Sequence, residues 1–228
     1  MGGDHALKLF FRRQKRSLLL LGALAVLLSL IFYWSRPRPL FSDPLSPVLF
    51  SSDGRLLGAR LAADEQWRFP RMQAVPGRFF QALLEYEDRR FYRHRGVDLR
   101  ALARAMRANL RRGRVVSGGS TLTMQVVRIA RQNPSRTYLE KVREMLLALR
   151  LELSCSKREI LDLHAAHAPF GGNIVGIDAA SWFYFSRGPE ELSWAEAAFL
   201  AVLPNDPGLI SGAKNRALLK AKRDRLLE

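Results

Sequence analysis

Ser156-Lys157-Arg158-Glu159-Ile160-Leu161 is the stretch from which the class of fold is read. A serine with a glutamate three residues on, opening an apolar run, is a capping box: each side chain satisfies a free backbone N–H at a helix start. The same pattern stands at Thr137-Tyr138-Leu139-Glu140 and at Ser193-Trp194-Ala195-Glu196, so three helices are predicted to begin at these points. Further toward the N-terminus, Leu99, Leu102, Ala103, Met106 and Leu110 keep helical spacing up to Gly113, which suits the position just past a helix end. Another helix is expected from about Gly77, and no strand alternation is visible between residues 76 and 228. The strand signal is confined to a hairpin-like pair, Val48-Leu49-Phe50 and Leu56-Leu57 around Ser52-Asp53-Gly54-Arg55. The predicted class is therefore mainly α.

The chain has 228 residues, 48% of them hydrophobic and 25% charged, enough for one catalytic domain with an appendage and a sizeable core. Lys and Arg number 37 against 21 Asp and Glu, a net charge of +16, which predicts a polyanionic partner. The single cysteine, Cys155, excludes an intrachain disulfide framework and a Cys-based zinc site. Lys8, Arg12, Arg13, Lys15 and Arg16 precede the uncharged run Ser17 to Trp34, which as a helix would be about 27 Å long, close to a bilayer core. Basic flank first and Tyr33-Trp34 last, this run is read as a single transmembrane anchor with residues 1–16 in the cytoplasm. Ala23-Leu24-Ala25 fits a signal-peptide cleavage pattern, but it lies in mid-run with Val26 to Trp34 still to come, so an uncleaved anchor is preferred. Residues 35–69 follow as a Pro/Ser-rich linker with the hairpin-like segment, and 70–228 as the catalytic domain. A domain held outside the cytoplasm is not expected to meet nucleic acid; lipid or lipid-linked phosphate is the expected anionic partner.

Three segments could carry chemistry. Glu87 falls on or beside the apolar stripe of Phe80, Leu83 and Leu84, where partial desolvation would raise its pKa and suit it to proton transfer. The alternative is a helix-end glutamate paired with Arg90 or Arg93. Gly118-Gly119-Ser120-Thr121-Leu122-Thr123-Met124-Gln125 places free N–H groups at a helix start, which suits a phosphate, with Arg128 and Arg131 following. It lacks the Gly-Lys-Ser/Thr ending of a nucleotide loop, and an ordinary glycine loop into a capped helix stays open. Lys141 shares a face with Glu144, while Glu140 and Glu144 are like charges at i,i+4, unfavourable unless cations or a metal join them. A solvated charged face is the alternative there. Residues 100–150 hold twelve Lys or Arg against two acids, so the basic charge gathers around the glycine loop. His164 and His167 with Asp162 lack any further ligand pattern and are not read as a metal site. Ser154-Cys155-Ser156-Lys157 spells S-x-x-K, but it overlaps a helix cap with no K-T-G elsewhere and is read as chance.

Five motifs in order resemble the family 51 glycosyltransferases, the transglycosylase domains of class A penicillin-binding proteins and the monofunctional peptidoglycan transglycosylases. They are Glu87-Asp88-Arg89-Arg90-Phe91-Tyr92-Arg93-His94-Arg95-Gly96; Gly118 to Gln125; Lys141-Val142-Arg143-Glu144; Lys157-Arg158-Glu159-Ile160-Leu161 with Ala168-Pro169-Phe170-Gly171-Gly172; and Ala179-Ala180-Ser181-Trp182-Phe183-Tyr184-Phe185. The glycine-loop spelling, the Ala168 to Gly172 loop and Leu203-Pro204-Asn205-Asp206-Pro207 are similar to the 1C branch. The resemblance implies a lysozyme-like helical fold with a groove opening near the membrane, behind a single N-terminal transmembrane helix. It implies lipid II and the growing glycan strand as substrates, in peptidoglycan biosynthesis, cell-wall biogenesis and cell shape. The location implied is the bacterial inner membrane, with the catalytic domain on the periplasmic face and other cell-wall synthesis proteins as partners. By the same resemblance Glu87 is the general base, and Glu144 positions the pyrophosphate, with a divalent cation (Mg or Mn) as the one cofactor implied. Lys141, Arg128, Ser120 and Thr121 offset the leaving-group charge, and Asp88, His94 and Gln125 shape the groove. Four departures stand out: Ile129 for a usual Asn, Glu140 for a usual basic residue, His164-Ala165-Ala166 for Tyr-Leu-Asn, and Ser186 for a glycine. Two other readings stay open beside the enzyme: a degenerate, non-catalytic membrane scaffold in cell-wall assembly, and a hydrolase on the same fold. The chain ends at Glu228 inside an expected helix, without the transpeptidase domain of bifunctional relatives, so no penicillin-binding activity is expected of it.

Overall fold

The computed structural model describes residues 40–71, 74–205 and 213–228, with scattered positions between 14 and 29. The chain divides into two compact units, residues 1–42 and 43–228. In the first, the described residues between 14 and 29 are helical and Leu18 to Leu21 are exposed. Among the described residues no helix is long and apolar enough to cross a membrane; much of the basic tail 1–16 and of the anchor 17–34 lies outside them.

The second unit opens with β1 (Val48–Phe50) and β2 (Leu56–Ala59), antiparallel with Val48 opposite Ala59. Gly54, at φ +83°, makes the turn between them. A second pair is parallel: β3 (Trp67–Arg68) lies beside β4 (Ile174–Val175). Two residues are too few to show a period of two, so β4 has no signature in the sequence. It nevertheless ties the first strands to the helical part through the Trp67 N–H to Asn173 O bond at 2.8 Å.

Eight helices follow among the described residues: α1 (Gly77–Glu87), α2 (Leu99–Arg112), α3 (Leu122–Ala130), α4 (Tyr138–Glu152), α5 (Lys157–His167), α6 (Ile177–Phe185), α7 (Trp194–Val202) and α8 (Ala213–Leu227). At α5 and α7 the expected capping boxes are complete: Ser156 N donates to Glu159 at 2.6 Å and Ser193 N to Glu196 at 2.8 Å. At α4 only half of the box forms. Thr137 accepts the Glu140 N–H at 3.1 Å, but the Glu140 carboxylate turns to Arg131 and Arg143, because a charged partner outcompetes a neutral backbone donor. The core lies where α1 packs on α7, and α3 on α4 and α5. Phe79, Leu83, Leu122, Met124, Ile160 and Leu200 are fully buried in it, and Phe79 meets Phe170 at 6.4 Å between ring centres.

α2 departs from the usual behaviour of an apolar stripe at helical spacing. Leu99, Met106 and Leu110 are 73%, 60% and 76% exposed, and Ala105 is the buried residue of the helix. The reason is a close backbone approach: a Cβ on Gly119 would lie 2.9 Å from Leu102 Cα. α2 therefore faces the glycine loop with the backbone and side chain of Leu102, while Leu99, Met106 and Leu110 point away from it. Its ends are as expected, with Asp98 accepting the Arg100 and Ala101 N–H groups and Gly113 closing at φ +61°.

Gly96 is the second close approach. At φ +85°, a Cβ there would meet Ala148 O at 2.6 Å, and the Gly96 carbonyl accepts the Thr121 hydroxyl at 2.5 Å. Gly96→Ala is expected to destabilise the chain by about 2 kcal/mol or more. Gly118→Ala, whose Cβ meets nothing within 4 Å, is expected to change it little; chemical denaturation of the two variants checks the contrast.

Candidate active site

α1 ends at Glu87 because Asp88 leaves the helical region at φ −155° while its N–H still bonds to Leu84 O. The Asp88 carboxylate is buried and accepts the Leu122 N–H at 3.1 Å, with His94 Nε2 against both its oxygens at 3.0 and 3.1 Å. A carboxylate on the first free N–H of a helix is favoured by both hydrogen bonding and the helix dipole. Lys157 holds the turn from the other side, donating to His94 O and to Glu152, each at 2.7 Å. The last residue of α1 is thus fixed against the first turn of α3. α3 itself is capped by Thr121, whose hydroxyl accepts from Met124 N at 3.2 Å and donates to Gly96 O.

One turn along α3, Gln125 Nε2 donates to Glu87 Oε2 at 2.8 Å, and Gln125 Oε1 faces His164 Nε2 of α5 at 3.2 Å. Glu87 Oε1 is buried with no partner among the described residues. Burial pushes the Glu87 carboxyl above its ordinary value; the Gln125 N–H opposes this, the neighbouring Asp88 charge adds to it and Lys222 opposes it. Of the two sequence alternatives, the desolvated carboxylate is the one found. Arg90 pairs with Asp98 at 3.5 Å and Arg89 with Glu85, leaving Glu87 to Gln125.

The third segment meets the second at Ser120. Lys141 Nζ donates to Ser120 Oγ at 2.5 Å and to Glu144 Oε2 at 3.0 Å, while Arg128 Nε stands 3.9 Å from Glu144 Oε1. The like charges at i,i+4 are separated by having their own cations: Arg131 and Arg143 for Glu140, Lys141 and Arg128 for Glu144. This is not a solvated face, since Glu144 is 5% exposed.

Glu87, Asp88, Ser120 and Thr121 line one cavity of about 630 Å³. Its other walls include Ala101 and Arg104 of α2 and Lys222 and Arg225 of α8. Glu87 and the glycine loop therefore share a space. Glu144 and Lys141 do not line it and reach it through Ser120. Of the residues expected to shape the groove, Asp88 bonds to His94 Nε2 and to α3, and Gln125 to Glu87 and His164. Lys222 and Arg225 carry no motif or periodic signal in the sequence. His164 had one, as the first residue of the departed Tyr-Leu-Asn.

The histidines and acids of α5 disperse: Asp162 pairs with Arg71 at 3.0 Å, and His167 Nδ1 lies 3.7 Å from Asp43. In the S-x-x-K spelling, Ser154 Oγ donates to Arg150 O and Lys157 turns to Glu152, so the two do not act together. Among the described residues no group of three His, Cys, Asp or Glu is placed to hold a metal ion. Glu144, a single carboxylate between two cations, does not fit a resident divalent cation.

A family model described as transglycosylase matches residues 53–228. Penicillin-binding protein 1C of Escherichia coli (strain K12) is 44% identical over 193 residues, covering 84% of this chain and 25% of that protein. Penicillin-binding protein 1A of Pseudomonas aeruginosa is 36% identical over 181 residues, covering 79% of this chain and 22% of that protein. For penicillin-binding protein 1A of Rickettsia bellii the values are 32% over 225 residues, 95% and 28%. The chain spans about a quarter of the length of the curated relatives it matches. With the family match running from the turn of the first hairpin through the whole of the site just described, the chain belongs to the transglycosylase family.

Proposed function

We propose that residues 43–228 act as a peptidoglycan glycosyltransferase, polymerising lipid II into glycan strands with inversion and release of undecaprenyl pyrophosphate. The observation that carries this reading is Glu87: a half-buried residue whose carboxylate is bonded at Oε2 by Gln125 and has no partner at Oε1 among the described residues, on a cavity it shares with Ser120. Membership of the transglycosylase family supports the reaction class, and the helical architecture agrees with a lysozyme-like fold.

In this mechanism Glu87 Oε1 takes the proton of the acceptor sugar's 4-hydroxyl. The oxygen attacks the anomeric carbon of the growing strand from the face opposite the leaving group. The carbon–oxygen bond to the pyrophosphate breaks, its electron pair leaving with undecaprenyl pyrophosphate, and the configuration inverts. Glu87 then returns its proton to water. Ser120 Oγ and Lys141 Nζ, with Arg128 behind them, set positive charge and donors where the pyrophosphate charge develops. Glu144 positions Lys141 and Arg128, whose cations would otherwise repel one another. Because both Glu144 oxygens face those cations, a divalent ion would arrive with the substrate's phosphates. The apolar run 17–34 and its basic flank support anchoring in the inner membrane with the catalytic unit on the periplasmic face, where an anionic lipid substrate meets a basic protein.

Glu87→Gln is expected to abolish glycan-strand formation from labelled lipid II in detergent; polymer at the parent's rate would remove Glu87 from the role of base. Because burying the charge raises the folded-state pKa of Glu87 above its unfolded value, the ionised group costs stability at neutral pH. The same Glu87→Gln variant is therefore expected to gain about 1 kcal/mol in chemical denaturation. The base works only as a carboxylate, so polymerisation is expected to fall as pH drops through that raised value. A pH–rate profile should place its acid limb above the ordinary glutamate range of about 4.3.

A further inference from the structure

His164 is a fully buried imidazole, 1% exposed, on the far side of Gln125 from Glu87. Three groups stand in line: His164 Nε2 is 3.2 Å from Gln125 Oε1, and Gln125 Nε2 is 2.8 Å from Glu87 Oε2. Each end of an amide has one hydrogen-bonding sense, so the direction of this line is determined. An ionised Glu87 only accepts, so it requires the amide's N–H₂. That leaves Gln125 Oε1 toward His164, which must then donate from Nε2. The opposite orientation would set the amide oxygen against Glu87 and require a protonated carboxyl. We infer that His164 is a positioning residue for the base: by donating from Nε2 to Gln125 Oε1 it fixes the amide so that the N–H₂ end alone meets Glu87.

The surroundings of the imidazole agree. Its Nδ1 is buried with no partner among the described residues, which leaves no acceptor for the second proton of an imidazolium. Burial pushes its pKa down to about 4, so near neutral pH it is an uncharged donor. A hydrogen bond to Oε1 also polarises the amide and strengthens the N–H bond on Glu87. Without it, Gln125 is free to turn over, and Glu87 loses the contact that offsets its desolvation.

The test compares His164→Phe with His164→Tyr in the full chain. The two rings fill nearly the same space, and the tyrosine hydroxyl can donate to Gln125 Oε1 whereas phenylalanine cannot. The ionisation of Glu87 is read from its carboxyl ¹³C signal, assigned by its loss in Glu87→Gln. His164→Phe is expected to raise the Glu87 midpoint by about one pH unit, tenfold in proton affinity, and His164→Tyr to leave it near the parent. Glu85, Tyr86, Asp88, Arg89 and Arg90 from α1 and its end, Asp98 and Arg104 from the cap and body of α2, and Lys222 and Arg225 from α8 also line the cavity. They are common to all three proteins, so they cannot produce the difference. An unchanged midpoint in His164→Phe overturns the inference, and so does an equal shift in both variants, which would be a packing effect. A reading that needs no variant is the ¹⁵N spectrum of His164 in the parent at neutral pH: the Nε2–H tautomer is expected, and the Nδ1–H tautomer overturns the assignment.

The catalytic consequence rests on the proposed glycosyltransferase reading. There His164→Phe should lower kcat about tenfold with KM little changed, and move the acid limb by the shift seen in the ¹³C titration. If the ¹³C shift appears and the parent makes no polymer, the positioning role stands and the glycosyltransferase reading fails. If the parent makes polymer and the titration is flat, the glycosyltransferase reading stands and the positioning role fails.

Discussion

The bond from the Leu122 N–H to the Asp88 carboxylate is the constraint on which the site depends. Asp88 lies one residue past the end of α1, and Leu122 is the first residue of α3. One interaction therefore sets where one helix stops and where the other starts. Glu87 and Gln125 fall within reach of each other as a result, and Ser120 is left just ahead of the cap with its hydroxyl free to meet Lys141. His94 closes the arrangement by occupying the rest of the Asp88 carboxylate, and Lys157 secures the His94 carbonyl in turn.

Around this joint the electrostatics run in two opposite directions. At Glu144 and Glu140 each carboxylate is matched by two cations. At Glu87 the match is incomplete: one neutral amide donor, one oxygen with no partner among the described residues, and an acidic neighbour. A surface built for stability would have given that oxygen an arginine, and several stand nearby. A group left under-solvated in an otherwise satisfied site is the pattern expected where protons are exchanged.

How much of this the sequence disclosed depends on the range of the interaction. The starts of α5 and α7 and the Gly113 stop are local, set within four residues, and they were legible. Glu87 was legible as a carboxylate on an apolar face, but its partner was not, because Gln125 lies 38 residues away. His164 looked idle for the same reason: its spacing to His167 and Asp162 suggested a poor metal site, while its actual partner is 39 residues distant on another helix. At α4, Thr137 and Glu140 form half a box because Arg131, from outside the helix, competes for the glutamate. α2 shows a different limit. Periodicity identifies Leu99, Met106 and Leu110 as one face, but it does not say which face the glycine loop will press against, and Gly119 settles that.

The separations that hid the site also govern when it can come into being. Its bonds close loops of 34, 38 and 39 residues, and each closure costs chain entropy before any contact offsets it. α3 and α5 can each begin to wind on their own, since Thr121 and Ser156 cap them locally, but neither alone creates a proton acceptor. Glu87 becomes a partly desolvated carboxylate only once Asp88 has met Leu122 and the core has closed behind it. The environment of Glu87 is thus a property of the assembled topology, and an unfolded molecule carries an ordinary solvated glutamate in its place.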